Sequence, residues 1–314
     1  MNDKLRRLFP VFIEYNTLVI FGIMLIVSAM ASDVFFSQTN LSNLFRQVSG
    51  VGIVSMGLLL VIMVGGIDLS VGSVMSLGGV LLALLTHIVP LGGALALTIG
   101  CGVLIGLTAG FLTTAGKIAP FIATLALMTI ARGISFMISA GSPVPLNSAA
   151  LPLLVFGDGY FLGIPYPVFF FFLITLLVFI VLRYNVIGRI LIAIGSNEEA
   201  VRLAGLKVDK YYWFVYGFSG AMAAMAGIIA VARTGIGSPV IGIGLELDAI
   251  AAVVVGGASL KGGRGSAINT FLGVIILGMI GNIMNLKDVP AYPQQVIKGI
   301  IIILAVLLQR FQKY

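Results

Sequence analysis

The chain has 314 residues, 60% of them hydrophobic and only 9% charged, against about a quarter charged in an average soluble domain. With a mean hydropathy of +1.16, this composition excludes a soluble enzyme and points to an integral membrane protein. The net charge of +7 follows from loop asymmetry, described below, and gives no reason to invoke nucleic acid; the single cysteine, Cys101, excludes a disulfide framework or a thiol metal pair.

A membrane span needs about 20 mostly apolar residues to cross about 30 Å of hydrocarbon. The sequence offers ten such runs, at 12–32, 46–64, 70–87, 91–114, 120–139, 165–182, 213–232, 246–259, 266–285 and 294–309. The expected fold is therefore all-α, one polytopic membrane domain over 1–314, with almost no room for a soluble domain. The first run follows Lys4, Arg6 and Arg7 and contains Ala29-Met30-Ala31, which resembles a signal-peptide cleavage site; the polar Glu14-Tyr15-Asn16 fits a retained helix better.

Between the second and third runs the chain reads VGGIDLSVGS, Val64 to Ser73. Gly65-Gly66 breaks one helix, and Asp68 or Ser70 is suited to cap the next. A carboxylate at membrane depth also defaults to a functional reading, because burial is costly unless it faces a polar cavity or a partner. Asp68 and Ser70 are thus candidate pathway or gate residues as well as candidate caps. His87, alone after the third run, reads as a helix-end residue.

Residues 140–165 carry Pro143, Pro145, Pro152 and Pro165 with scattered glycines and no basic residue, as in an ordered extracytoplasmic loop, either a docking surface or a passive connection. The next polar stretch, 183–212, is more informative. In GSNEEAVRLAGLKVDKYY, Ser196 or Asn197 is placed to cap a helix, and Glu198 and Glu199 fall in its first turn, where the helix dipole favours anions. Gly205 is placed to end it. Ala200, Val201, Leu203 and Ala204 form a narrow apolar stripe, enough to dock in a groove, with Arg202 beside it.

GLELDAIAAVVVGG, Gly244 to Gly257, again sets acids, Glu246 and Asp248, at the start of a short apolar run. The five-helix units 12–139 and 165–309 correspond in order: the fourth run of each is glycine-rich, and the fifth opens with a proline (Pro120, Pro293). An odd number of spans per unit inverts the second copy, and interrupted helices at matching positions of inverted repeats point to a transport pathway. Asn282 and Gln294 are further candidate pathway residues, equally suited to bonding a neighbouring helix.

Cytoplasmic loops retain Lys and Arg. With the N-terminus inside, Lys4, Arg6, Arg7, Lys117, Arg183, Arg189, Arg202, Lys207, Lys210, Lys261, Arg264, Arg310 and Lys313 fall inside, and only Arg46, Arg132, Arg233, Lys287 and Lys298 outside. Both termini are predicted to be cytoplasmic.

In these blocks the chain resembles the permease subunits of ABC sugar importers of the ribose type, which also serve galactose, xylose and arabinose. GGIDLSVGS, PFIATLALMTIARGISF with GSPV, GSNEEAVRLAGLKVDK, GLELDAIAAVVVGGASLKGGRGS and QQVIKGIIIILAVLL occur in that family's order over nearly the whole chain. The family often has a second glycine where this chain has Ser196. The resemblance implies a fold similar to vitamin B12 importer permeases and import of a monosaccharide by alternating access through the bacterial inner membrane. It also implies a homodimer with an ATPase pair and an extracytoplasmic sugar-binding protein, and a coupling helix over Ser196 to Gly205. ATP and magnesium would then be bound by the partner, with no cofactor in this chain. The nearest approach to a phosphate loop, GFLTTAGKI at Gly110 to Ile118, has the wrong glycine spacing and Ile118 where Ser or Thr would hold magnesium. An ion-gradient-driven secondary transporter is the alternative.

Overall fold

The computed structural model describes residues 16–311. Lys4, Arg6, Arg7, Glu14, Tyr15 and Lys313 lie outside the described residues, as does the Arg310 side chain.

Each of the ten expected runs contains a helix. The first five are α1 (Asn16–Ala31), α2 (Gln38–Met63), α3 (Val71–Leu85), α4 (Leu91–Thr114) and α5 (Pro120–Ile138). A connection follows, built from strand β1 (Val144–Pro145), helix α6 (Pro152–Asp158) and a tight hairpin of β2 (Tyr160–Phe161) and β3 (Ile164–Pro165). The chain continues through α7 (Tyr166–Tyr184), α8 (Val186–Ser196), α9 (Glu198–Leu203) and α10 (Val208–Thr234). After strand β4 (Ile236–Gly237), which pairs antiparallel with β1, come α11 (Leu245–Val255), α12 (Ala267–Leu286) and α13 (Ala291–Phe311).

Among the described residues six helices, α2, α4, α5, α7, α10 and α12, are long and apolar enough to span a bilayer. The two runs that the sequence marks as interrupted are shorter. α3 has 15 residues and α11 has 11, or about 22 Å and 16 Å at 1.5 Å per residue, short of a hydrocarbon core of about 30 Å. Irregular backbone at 64–70 and 238–244 makes up the distance. Such backbone is tolerated at membrane depth only where protein satisfies it; α10 does so beside 64–70, and α3 and α5 at the carbonyls of Pro239 and Ile241.

α2 and α10 form the centre. They pack against each other; α10 also packs against α3 and α4, and α2 against α11 and α12. Each central helix therefore contacts the third and fourth helices of the opposite five-helix set. The α4–α10 contact is close because Gly102, Gly106 and Gly110 recur at every fourth position. A side chain at Gly102 or Gly106 would run into the α10 backbone at Gly220 or Tyr216, the small-residue packing that lets membrane helices approach.

One end of the bundle carries α8, α9 and the starts of α5 and α10, and is called the α9 end below. The far end carries the 139–165 connection. There Arg46 donates to the Asp158 carbonyl and lies over the Tyr160 ring at 4.6 Å. His87, just past α3, faces the Pro145 carbonyl from Nε2 at 3.1 Å.

Candidate functional site

The end of α2 shows how the first break is made. Gly65, with φ +79°, closes the helix. Its amide donates to the Ile62 carbonyl at 2.9 Å and the Gly66 amide to Val61 at 3.0 Å, the paired bonds of a Schellman termination. The next carbonyls find partners outside the helix: Met63 accepts from the Gly263 amide at 2.9 Å and Val64 from the Tyr212 hydroxyl at 3.0 Å. The carbonyls of Val61, Ile62, Met63 and Val64 at this helix end therefore all have donors, as burial demands.

Further along the break, the Ile67 carbonyl accepts from Tyr216 at 3.3 Å and from Thr124 of α5 at 3.2 Å. Asp68 is fully buried, at 0% exposure. Its Oδ1 accepts from the Ser70 amide at 3.0 Å and the Ser70 hydroxyl at 2.6 Å, and its Oδ2 from the Ser219 hydroxyl at 2.8 Å. Capping is thus realised differently from expectation. Ser70 occupies the cap position of α3, but no side chain accepts from the α3 amides there; its hydroxyl and amide both turn back to Asp68. Tyr212, Tyr216 and Ser219, spaced i, i+4, i+7 on one face of α10, climb beside the break from Val64 to Asp68. Sequence reasoning missed this stripe, although three polar residues at helical spacing on a span are a readable signal.

The second break is held by cations. Arg132 of α5 donates at 2.8 Å to both the Pro239 and Ile241 carbonyls, and the Ser76 hydroxyl of α3 donates to Pro239 at 2.9 Å. Arg132 also feels the charge of Glu246 in the first turn of α11. The Glu246 carboxylate lies against Gly72, at the start of α3, where a Cβ would collide with it. The N-termini of the two short helices therefore meet inside the bundle. Asp248, two residues on in the same turn, pairs with Lys298 of α13 at 2.8 Å. This pair lines a cavity of about 120 Å³ between α2, α11, α12 and α13, also lined by Gln47, Asn285 and Gln294.

The remaining pathway candidates are engaged locally. Asn282 and Asn40 form two reciprocal amide bonds of 2.9 Å between α12 and α2. Gln294 donates to Asn285 and to the Val289 carbonyl, both at 2.8 Å. Of the candidates, Asp68 and Ser70 share one network, Glu246 faces Gly72 and Arg132, and Asp248 and Gln294 line the same cavity; Asn282 belongs to none of these.

At the α9 end, Asn197 is the cap of α9 and accepts from the Ala200 amide at 3.0 Å. Ser196 closes α8 instead, bonding back to Ile192 at 2.8 Å. Glu198 and Glu199 occupy the first turn, and Gly205 adopts φ +85° just beyond Ala204. Arg202 pairs with Asp209 at 2.7 Å and with Glu198 at 2.8 Å; Asp209 and Glu198 together hold its guanidinium above its ordinary range. The expected apolar stripe divides: Val201 is 7% exposed and packs inward, whereas Leu203 is 83% exposed. Helix α8 is a second helix within 183–212, where the sequence marks only one. Its signal is present in Ile187, Leu191 and Ile194, apolar at i, i+4 and i+7.

Comparison with known proteins accords with this geometry. The family described as "Branched-chain amino acid transport system / permease component" matches residues 40–306. The chain is 41% identical to the ribose import permease protein of Bacillus subtilis over 292 residues, 92% of this chain and 90% of that one. It is 37% identical to the ribose import permease protein of Haemophilus influenzae over 302 residues, 95% of this chain and 94% of that one. To the L-arabinose transport system permease protein of Escherichia coli it is 36% identical over 308 residues, 96% of this chain and 91% of that one. No solved structure matches.

Proposed function

Because the chain belongs to the family of branched-chain amino acid transport system permease components, we propose that it is the permease subunit of an ATP-driven ABC importer that carries a monosaccharide of the ribose or arabinose class into the cytoplasm. The observation that carries this reading is the 41% identity to a ribose permease along nearly the whole of both chains. The family description names amino acids, but the full-length relatives described above are sugar permeases. The ion-gradient alternative has no support among them.

In this reading the chain works with an ATPase subunit, which binds ATP and magnesium, and with an extracytoplasmic sugar-binding protein. Two permease copies would enclose the path. The α9 end faces the bacterial cytoplasm: Lys117, Arg183, Arg189, Arg202, Lys207, Lys210, Lys261 and Arg264 gather there, while Arg46, Arg233 and Lys287 lie at the far end, the asymmetry that the positive-inside rule expects. The exposed face of α9, with Glu199 and Leu203, is the surface offered to the ATPase. A short capped helix between two spans transfers nucleotide-driven closure as a rigid body. The meeting of two half-length helices, and the exchange of partners by α2 and α10 between the two five-helix sets, support an inverted-repeat transporter with its path beside the α3 and α11 N-termini.

The test is purification of the tagged chain from its native membrane with identification of the proteins bound to it, followed by uptake of labelled ribose and arabinose into proteoliposomes made from the complex. An ATPase with phosphate-loop sequences and ATP-dependent sugar uptake are expected. Uptake that survives ATP depletion and collapses with the ion gradient would overturn the reading.

A further inference from the structure

The hydrogen-bond account at the end of α2 contains one bond that reaches beyond the break. Tyr212 is the fifth residue of α10, and its side chain is 8% exposed. Its hydroxyl oxygen lies 3.0 Å from the Val64 carbonyl and 3.0 Å from Oε2 of Glu198, the first residue of α9. One phenolic proton thus serves two acceptors, one on the surface helix and one on the first break. The other Glu198 oxygen is held by Arg202, which also grips Asp209 in the first turn of α10. α9 and the start of α10 are therefore one ionic unit, and Tyr212 is where that unit touches the break.

Around the same point three turns from distant parts of the chain converge. A side chain on Gly195, at the end of α8, would strike the Met63 carbonyl and the Gly263 amide. A side chain on Gly262 would lie 2.9 Å from both the Gly195 Cα and the Gly65 amide nitrogen. The backbones of the GGIDLS, GSNEE and KGGRG stretches are thus in direct contact, with Gly263 bonded to Met63. Backbone packed on backbone has no flexible side chain to absorb a displacement, so a shift of α8–α9 is passed on.

The geometry points to Tyr212 as a positioning residue for transport: its hydroxyl links Glu198 of α9 to the Val64 carbonyl, so that movement of α9 is delivered to the 64–70 break. This rests on the importer reading given above. Tyr216 and Ser219 carry the same helix face on to Ile67 and Asp68, so the displaced unit includes the buried carboxylate at the start of α3.

The experiment uses the complete importer, permease with its ATPase and binding protein, in proteoliposomes, and measures sugar imported per ATP hydrolysed. Tyr212→Phe keeps the ring packing and deletes the bond. Sugar per ATP is expected to fall by about fivefold or more, the lower range of site-to-site coupling, with the ATPase still bound and still hydrolysing ATP. The acceptor is tested separately by Glu198→Gln and Glu198→Ala. Both lose the pairing with Arg202, but only Gln still accepts from the phenol, so Gln is expected to give the higher ratio. A wild-type ratio in Tyr212→Phe overturns the assignment. If that variant does not assemble, equal ratios for Gln and Ala overturn it. Absence of ATP-dependent sugar uptake by the wild-type complex would instead remove the importer reading itself.

Discussion

The two breaks that shorten α3 and α11 are built from different chemistry. At the first, residues 64–70, the donors are uncharged: two tyrosines, Thr124, Ser70, Ser219 and backbone amides. Asp68 forms no ion pair among the described residues. At the second, Arg132 clamps two carbonyls and feels the charge of Glu246, while Lys298 takes Asp248. Buried bonds from uncharged donors, several converging on one carboxylate, fix one geometry. Charge pairs that are partly exposed are individually weak and exchange partners readily. The first break thus reads as a rigid lever attached to α9, and the second as the more adaptable one where it leads into α11, whose Asp248 lines the cavity beside α13.

The largest expected effect tests the lever from outside. Replacing Glu198 and Glu199 together by lysine sets a cation against Arg202 and removes the acceptor for Tyr212, while also opposing the helix dipole in the first turn of α9. Sugar uptake by the complex is expected to be abolished, with the permease still inserted and monodisperse in detergent. Normal uptake in this double variant would detach α9 from coupling and dissolve the contrast.

Next comes the clamp of the second break. Arg132→Met leaves the Ile241 carbonyl without its donor, the Pro239 carbonyl with Ser76 alone, and Glu246 without the nearby positive charge. Charged hydrogen bonds are worth about 1.5–3 kcal/mol each, so thermal unfolding of the purified permease should fall by several degrees and uptake with it. An unchanged melting temperature would show that the clamp is not what holds this segment.

A pair of changes at Asp68 separates charge from hydrogen bonding. In Asp68→Asn the amide oxygen still accepts from Ser70, and the amide nitrogen faces Ser219, whose hydroxyl rotates to accept. Nearly normal uptake and stability are expected. Asp68→Ala leaves three buried donors unmet, at a cost of about 1–3 kcal/mol for such groups, seen as a lower melting temperature. A folded but inactive Asn variant would make the negative charge itself necessary and overturn the rigid-lever view.

The location of both breaks was legible because helix-interrupting glycines and acids stand out in a hydrophobic chain. Gly65-Gly66 and Glu246-Asp248 are visible without coordinates, and so are the Asn197 cap and the ten apolar runs. What holds the breaks was not legible. Asp68 and Ser219 are 151 positions apart, and hydrophobic patterning carries no information on which hydroxyl of one span meets which carboxylate of another. Ser70 illustrates the same limit: its type and position fit a cap, but the Asp68 carboxyl claims both its donors. Asn282 was read as either pathway or packing, and only the reciprocal bonds to Asn40 place it in packing. The sequence signal for α8 is weak because the helix has only 11 residues and its buried face includes Gly188, which has no side chain.

The smallest expected effect concerns the pair at the cavity rim. Lys298 and Asp248 are 40% and 33% exposed, and pairs of this kind contribute about 0–1 kcal/mol. Lys298→Gln should therefore leave the melting temperature within a degree or two, because glutamine still donates to Asp248. If the second break adapts during transport, the lost charge should appear in the kinetics instead, as a changed uptake rate whose difference from wild type shrinks as salt is raised and the native pair is screened. A large loss of stability in Lys298→Gln would mean that this pair is a fixed strut like the bonds around Asp68, and the two breaks would then be alike in rigidity despite their different chemistry.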